Sequence, residues 1–229
     1  MRLAPVVVAA VLAAAPTAQL HAETVVEYYN ATLDHYFMTP LANEIAALDS
    51  GQVAGWSRTG ATFDGSATAD AGLSPVCRFY IPPLHGDSHF LSASPAECAA
   101  VLAKIGTDPN FSGYIEETAA EFYIALPDTA NGTCPAGTAP VYRLWNGRAD
   151  SNHRYTADAA TRDAMIARGY VAEGYGPQGV AMCTTHASPP GDVPVRLTGR
   201  TPFPDGCDRP PLPDTGTVYA GRGRAADCD

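Results

Sequence analysis

The chain has 229 residues, 14 basic against 24 acidic side chains, and a formal net charge of −10. Lysine occurs only as Lys104, and no cluster of Lys and Arg is present. This excludes a phosphate-neutralising nucleic-acid surface and a polybasic segment for an anionic membrane.

Met1-Arg2-Leu3 opens an alanine- and valine-rich apolar stretch from Ala4 to Ala15, followed by Pro16 and a small-residue region ending at Ala22. This is the layout of a secretory signal peptide, with cleavage expected after Ala22 and Ala18 as the second choice. The apolar stretch falls short of the roughly 20 residues that span a bilayer, so a retained anchor is the weaker reading. No cysteine follows it, so it is not a lipoprotein signal. Loss of residues 1–22 removes Arg2 and leaves the remainder more acidic, and the expected location is secreted or periplasmic.

Three related segments follow, at about residues 25–66, 76–126 and 141–183. Each opens on a strand-like run: Val25-Val26-Glu27-Tyr28-Tyr29-Asn30, Val76-Cys77-Arg78-Phe79-Tyr80-Ile81 and Val141-Tyr142-Arg143-Leu144-Trp145-Asn146. A turn carrying Asp or Gly leads to a second short strand, His35 to Thr39, His89 to Ser92 and His153 to Thr156, as in an antiparallel reversal. A helix comes next, opening at Thr39-Pro40, at the capping box Ser94-Pro95-Ala96-Glu97, and at Asp158. Gly51, Gly106 and Gly169 stand where a left-handed helix end is wanted. Ile45 and Leu48, then Val101, Leu102 and Ile105, then Met165 and Ile166, are the expected buried stripes. Trp56, Tyr114 and Tyr170 then open a last strand. Units this small cannot each bury a core alone. The expected fold is therefore α+β, with three strand-strand-helix-strand repeats packed with pseudo-threefold symmetry.

Six cysteines in an oxidising compartment predict disulfides. They allow 15 connectivities, of which sequential pairing is favoured because each pair closes within a unit: Cys77 with Cys98, Cys134 with Cys183, Cys207 with Cys228. No Cys-x-x-Cys spacing occurs, which argues against a zinc knuckle or a thioredoxin-like redox site. From Thr184 to Asp229 the composition shifts to Pro and Gly, with Ser188-Pro189-Pro190-Gly191 and Arg209-Pro210-Pro211-Leu212-Pro213 as breakers. This tail is expected to be pinned by Cys207 and Cys228.

The run Asp150-Ser151-Asn152-His153-Arg154-Tyr155-Thr156, with Thr161-Arg162-Asp163 and Gly169-Tyr170-Val171-Ala172-Glu173-Gly174, resembles a bacterial family of tandem secreted repeats of unknown function. The resemblance spans about residues 25–183 and implies an accessory or surface role without naming a ligand. The third segment matches best. In the first, aligning Thr39 with Ser92 and Thr156 puts Tyr36, not His35, opposite His89 and His153.

Period-two alternation puts Glu27 with Tyr29, Arg78 with Tyr80 and Arg143 with Trp145 on one face of the leading strands. A charged group beside a ring suits a sugar platform, or equally an arginine stacked on a ring in a structural role. His35, His89 and His153 raise metal binding or general-base work, against a structural role in the strand turn. Gly174-x-Gly176-x-x-Gly179 matches a dinucleotide fingerprint by letters alone. It contains Pro177 and precedes the strand-like Val180-Ala181-Met182 where a helix is required. No Gly-x-Ser-x-Gly, His-Glu-x-x-His or P-loop occurs, and Glu116 and Glu117 as strand neighbours point to opposite faces. Sequons at Asn30, Asn110 and Asn131 matter only in a glycosylating host.

The leading expectation is a non-catalytic binding module, without cofactor or metal, for cell-surface glycan or a protein partner. Its expected contact residues are Tyr29, Tyr80, Trp145, Arg78, Arg143, His89 and His153. One alternative is a hydrolase assembled from His89, His153 and carboxylates such as Asp87, Asp150 or Glu173. Another is a secreted inhibitor or structural envelope protein using the tail.

Overall fold

The computed structural model describes residues 22–190. The expected signal peptide up to His21, Cys207 and Cys228, and the tail beyond Pro190 lie outside the described residues.

The first segment folds as β1 (Ala22–Asn30), β2 (His35–Thr39), α1 (Ala42–Asp49) and β3 (Trp56–Ser66). After β4 (Leu73–Pro75), the second gives β5 (Cys77–Ile81), β6 (Ser88–Ser92), α2 (Pro95–Lys104), a 3-10 turn at Pro109–Phe111, β7 (Ile115–Thr118) and β8 (Tyr123–Ala125). The third gives β9 (Ala139–Trp145), β10 (His153–Thr156), α3 (Ala159–Ala167), β11 (Val171–Glu173) and β12 (Val180–Thr184). β13 (Ala187–Ser188) falls within the expected tail and pairs with β3. The fold is mixed and strand-rich. Among the described residues no helix is long and apolar enough to cross a membrane.

Each leading strand is central and antiparallel to both neighbours: β1 between β2 and β3, β5 between β6 and β7, β9 between β10 and an edge made by β11 then β12. The register aligns the segments residue by residue, because Glu27, Arg78 and Arg143 face Met38, Leu91 and Tyr155. Linkage between segments is unequal. The strands β6-β5-β7 make a separate three-stranded sheet, whereas the first and third segments join through β8 and β12 in a ten-stranded one.

Val25, Val76 and Val141, at matching positions, lie in one buried cluster with Met38, Leu91 and Tyr155. The strands β2, β6 and β10 each touch the other two. Tyr155 Oη donates to the Leu91 carbonyl and accepts from its N–H, at 2.7 and 2.8 Å, tying two segments at that centre. Alternation explains the cluster: one face of each leading strand offers an aliphatic group to it, and no segment closes over its own.

The hydroxyls of Thr39, Ser92 and Thr156 each accept the N–H two residues on, turning the chain into the helix. Ser94 and Asp158 then cap α2 and α3 as expected. The first helix differs: it starts at Ala42 behind Leu41, without a side-chain cap, because Leu41 stands where the other segments have Ser94 and Asp158 and carries no side-chain oxygen. Gly51, Gly106 and Gly169 have positive φ at the helix ends. The helices of 8 to 10 residues bury narrower stripes than the spacing suggested, and Leu102 and Ile166 are exposed. Disulfides Cys77–Cys98 and Cys134–Cys183 form with Cα separations of 6.2 and 5.7 Å.

Candidate functional site

The face that carries the charged group and ring of each leading strand is turned toward a neighbouring segment. Arg78 of β5 lies over the Phe37 ring of β2, 5.4 Å from its centroid, and donates to Glu44 of α1 from Nη1 and Nη2. Arg143 of β9 lies over Phe90 of β6, at 4.8 Å, and donates to Glu97 of α2 in the same way. The third junction runs from the first segment to the third with its polarity reversed. Glu27 of β1 accepts from Arg154 of β10, which stands where the other segments have Phe37 and Phe90.

Both leading-strand arginines are buried with most of their donors paired. Arg78 also donates to Glu117 and Glu121, and Arg143 to Glu173. Two expected contact residues thus serve as ties between segments, with their donors spent on carboxylates. Sequence reading missed Glu44 and Glu97 as their partners, and Arg154 as the partner of Glu27. Aligning the segments by position would have raised the two glutamates, since Glu44 and Glu97 both follow the turn hydroxyl by five residues.

Beside two of these ties a cleft opens. The larger, about 720 Å³, lies between the second and third segments; its floor includes Phe90, Glu97 and His153, and its walls Tyr114 and Trp145. Leu84, 78 % exposed, stands at the rim, with Lys104 and Phe111 on the α2 side. The smaller, about 300 Å³, lies between the first and second segments and has Phe37, Glu44, His89, Trp56, Tyr80 and Leu33 at the corresponding positions. At the third junction the corresponding residues Tyr29, Tyr36, Met165 and Tyr170 pack together with Leu144 as a buried cluster. Tyr29 is therefore core and not a lining residue, while Tyr80, Trp145, His89 and His153 line clefts.

The rings are held by the turns that precede the second strands. Tyr29 Oη donates to Asp34, Tyr80 Oη to Asp87 and Trp145 Nε1 to Ser151, at 3.0, 2.6 and 3.0 Å. Asp34 and Asp87 both sit at positive φ, a conformation Asp tolerates. The Asp87 hydrogen bond pushes the Tyr80 phenol up to about 12. In the larger cleft His153 Nε2 is 3.3 Å from Glu173 Oε2, and its Nδ1 is buried without a protein partner. Burial pushes His153 below its ordinary value, Glu173 only partly offsetting this. Burial opposes ionisation of Glu97 and Glu173, but Arg143 at Glu97, and His153 followed by Arg143 at Glu173, outweigh it and hold both carboxyls below the usual range. His89 repeats the arrangement, 3.2 Å from Glu117. His35 is elsewhere, buried 3.4 Å from Asp150, and burial lowers it too. The three histidines share no site, and among the described residues no group of three or more His, Cys, Asp or Glu is placed to hold a metal.

A strand-rich body of related segments with clefts at their junctions defines the class of protein. The chain belongs to the family described as a domain of unknown function (DUF5648), which matches residues 9–116 and 112–180. The two overlapping matches are consistent with a repeat-containing family. No curated protein and no solved structure matches the chain.

Proposed function

We propose that the protein is an exported, non-catalytic binding module whose three segments close into one ring with approximate threefold symmetry, and whose larger cleft binds a cell-surface saccharide. The ring is supported by the mutual contacts of β2, β6 and β10 and by the shared valine cluster. The observation that carries the ligand reading is Trp145: its indole is fixed by Ser151 and only partly buried in a cleft bordered by Glu97, Glu173 and Lys104. A ring face contacts the apolar C–H side of a pyranose, while flanking carboxylates and the ammonium take its hydroxyls. Isothermal titration of residues 23–229 with soluble cell-wall oligosaccharides tests this. Binding that Trp145→Ala weakens at least tenfold, with the fold retained, is expected. Saccharide binding untouched by Trp145→Ala, or capture of a protein partner with no saccharide binding, overturns it.

A hydrolase is the second reading, because His153 and Glu173 lie within reach of each other in that cleft. Against it, Arg143 at Glu97, and His153 with Arg143 at Glu173, lower both carboxyls and so favour their ionised forms, which do not supply the proton a leaving group needs. Release of reducing ends that His153→Gln abolishes would favour this reading over the first.

A further inference from the structure

We infer that the protein carries two saccharide seats of one kind, the second being the smaller cleft between the first and second segments; this rests on the binding reading above. The two clefts correspond at five positions: Phe37 with Phe90, Glu44 with Glu97, Trp56 with Tyr114, Tyr80 with Trp145, and His89 with His153, while Lys104 and Glu173 line the larger cleft alone. In each the ring of the leading strand is tethered by its turn, and the histidine leans on a carboxylate of its own segment.

The third junction shows that this pattern is not required to close the body. There Arg154 and Glu27 replace the ring and the arginine, Thr161 replaces the helix glutamate, and the tyrosines with Met165 fill the space. One junction sealed by its own side chains makes the openness of the other two a property of their residues. The difference in volume makes the second seat fit a shorter piece of the same polymer. Two weak seats on one rigid body favour a polymeric ligand, since the second contact forms within an already bound complex.

Titration with chitotetraose and with a soluble peptidoglycan disaccharide reads the stoichiometry, and immobilised peptidoglycan reads the dissociation rate. Two sites per chain are expected. Trp145→Ala should leave one site, and Tyr80→Ala should leave the other. Either should release the protein from the immobilised polymer on the order of 100-fold faster. Leu33→Arg and Leu84→Arg, at exposed rim positions, block one cleft each without entering the core. One site per chain, lost in Trp145→Ala and unaffected by Leu33→Arg, overturns the second seat and leaves the first standing. Two sites that survive all four variants, or no binding of either probe, overturn both.

Discussion

Arg154 grips Glu27 through two parallel hydrogen bonds, Nε to Oε1 and Nη2 to Oε2, each 2.9 Å, with both side chains buried. The two residues are 127 apart in sequence, and their pairing closes the third junction. Replacing Arg154 by Met leaves the Glu27 carboxylate buried without its main partner, and a loss of about 3–5 kcal/mol is expected. The double variant Glu27→Leu/Arg154→Met should regain most of it. Urea denaturation of the four proteins measures the coupling, and simple additivity of the single losses would remove the pair from its closing role.

Gly86 stands at φ 137°, and a Cβ there would run into the backbone of Asp150 and Ser151, where the turns of the second and third segments meet. The Ser151 N–H also donates to the His85 carbonyl across this contact, at 2.7 Å. Gly72 has a positive φ too, but open space around it. Gly72→Ala should therefore cost only the backbone strain, about 1 kcal/mol, and Gly86→Ala at least twice that. Equal melting temperatures for the two variants would contradict the close turn-to-turn approach.

Cys134–Cys183 bridges 49 positions and Cys77–Cys98 bridges 21. Constraint of the unfolded chain predicts losses of about 4 and about 3 kcal/mol when each pair is replaced by serine. Chemical denaturation of the two serine pairs checks the order, and peptide mapping of the intact protein checks whether Cys207 pairs with Cys228.

Stability should fall on acidification. His153 in the folded protein lies below its ordinary value of 6.5, and Glu97 and Glu173 below theirs of 4.5. For a lowered group the unfolded chain takes up protons first, so its contribution is full above the ordinary value and is lost as pH drops through the folded one. Glu121, raised by burial, works the other way. Denaturation midpoints measured from pH 7.5 to 4 should decline, first below about 6.5. In His153→Gln the upper part of that decline should shrink. A flat profile, or an unchanged slope in the variant, would contradict the arrangement of Glu173, Arg143 and Glu97 around this ring.

Much of the local structure was legible because it rests on short-range chemistry. The three leading strands, their antiparallel partners, the turns before them, the caps of α2 and α3 and the glycines at the helix ends all follow from neighbours within a few positions. The expected start of α1 at Thr39-Pro40 is too early because Thr39 makes the turn that Ser92 and Thr156 make, and the cap position falls on Leu41, which has no side-chain oxygen to mark it. The site was legible as a face: Glu27, Arg78 and Arg143 do share it with Tyr29, Tyr80 and Trp145. Which of these would line a cleft was not, since that depends on the side chains brought opposite by another segment.

The order of strand, strand, helix and strand, the acidic charge and the pairing of Cys77 with Cys98 and Cys134 with Cys183 belong to the sequence, through alternation, spacing and loop closure. Only the tertiary structure decided that Arg78 and Arg143 are spent on Glu44 and Glu97, that one junction is filled and two are open, and that Tyr29 is core where Trp145 lines a cleft. The physical reason is that a buried charge or an open cleft is settled by what stands across the junction, and those partners lie tens of residues or more away along the chain.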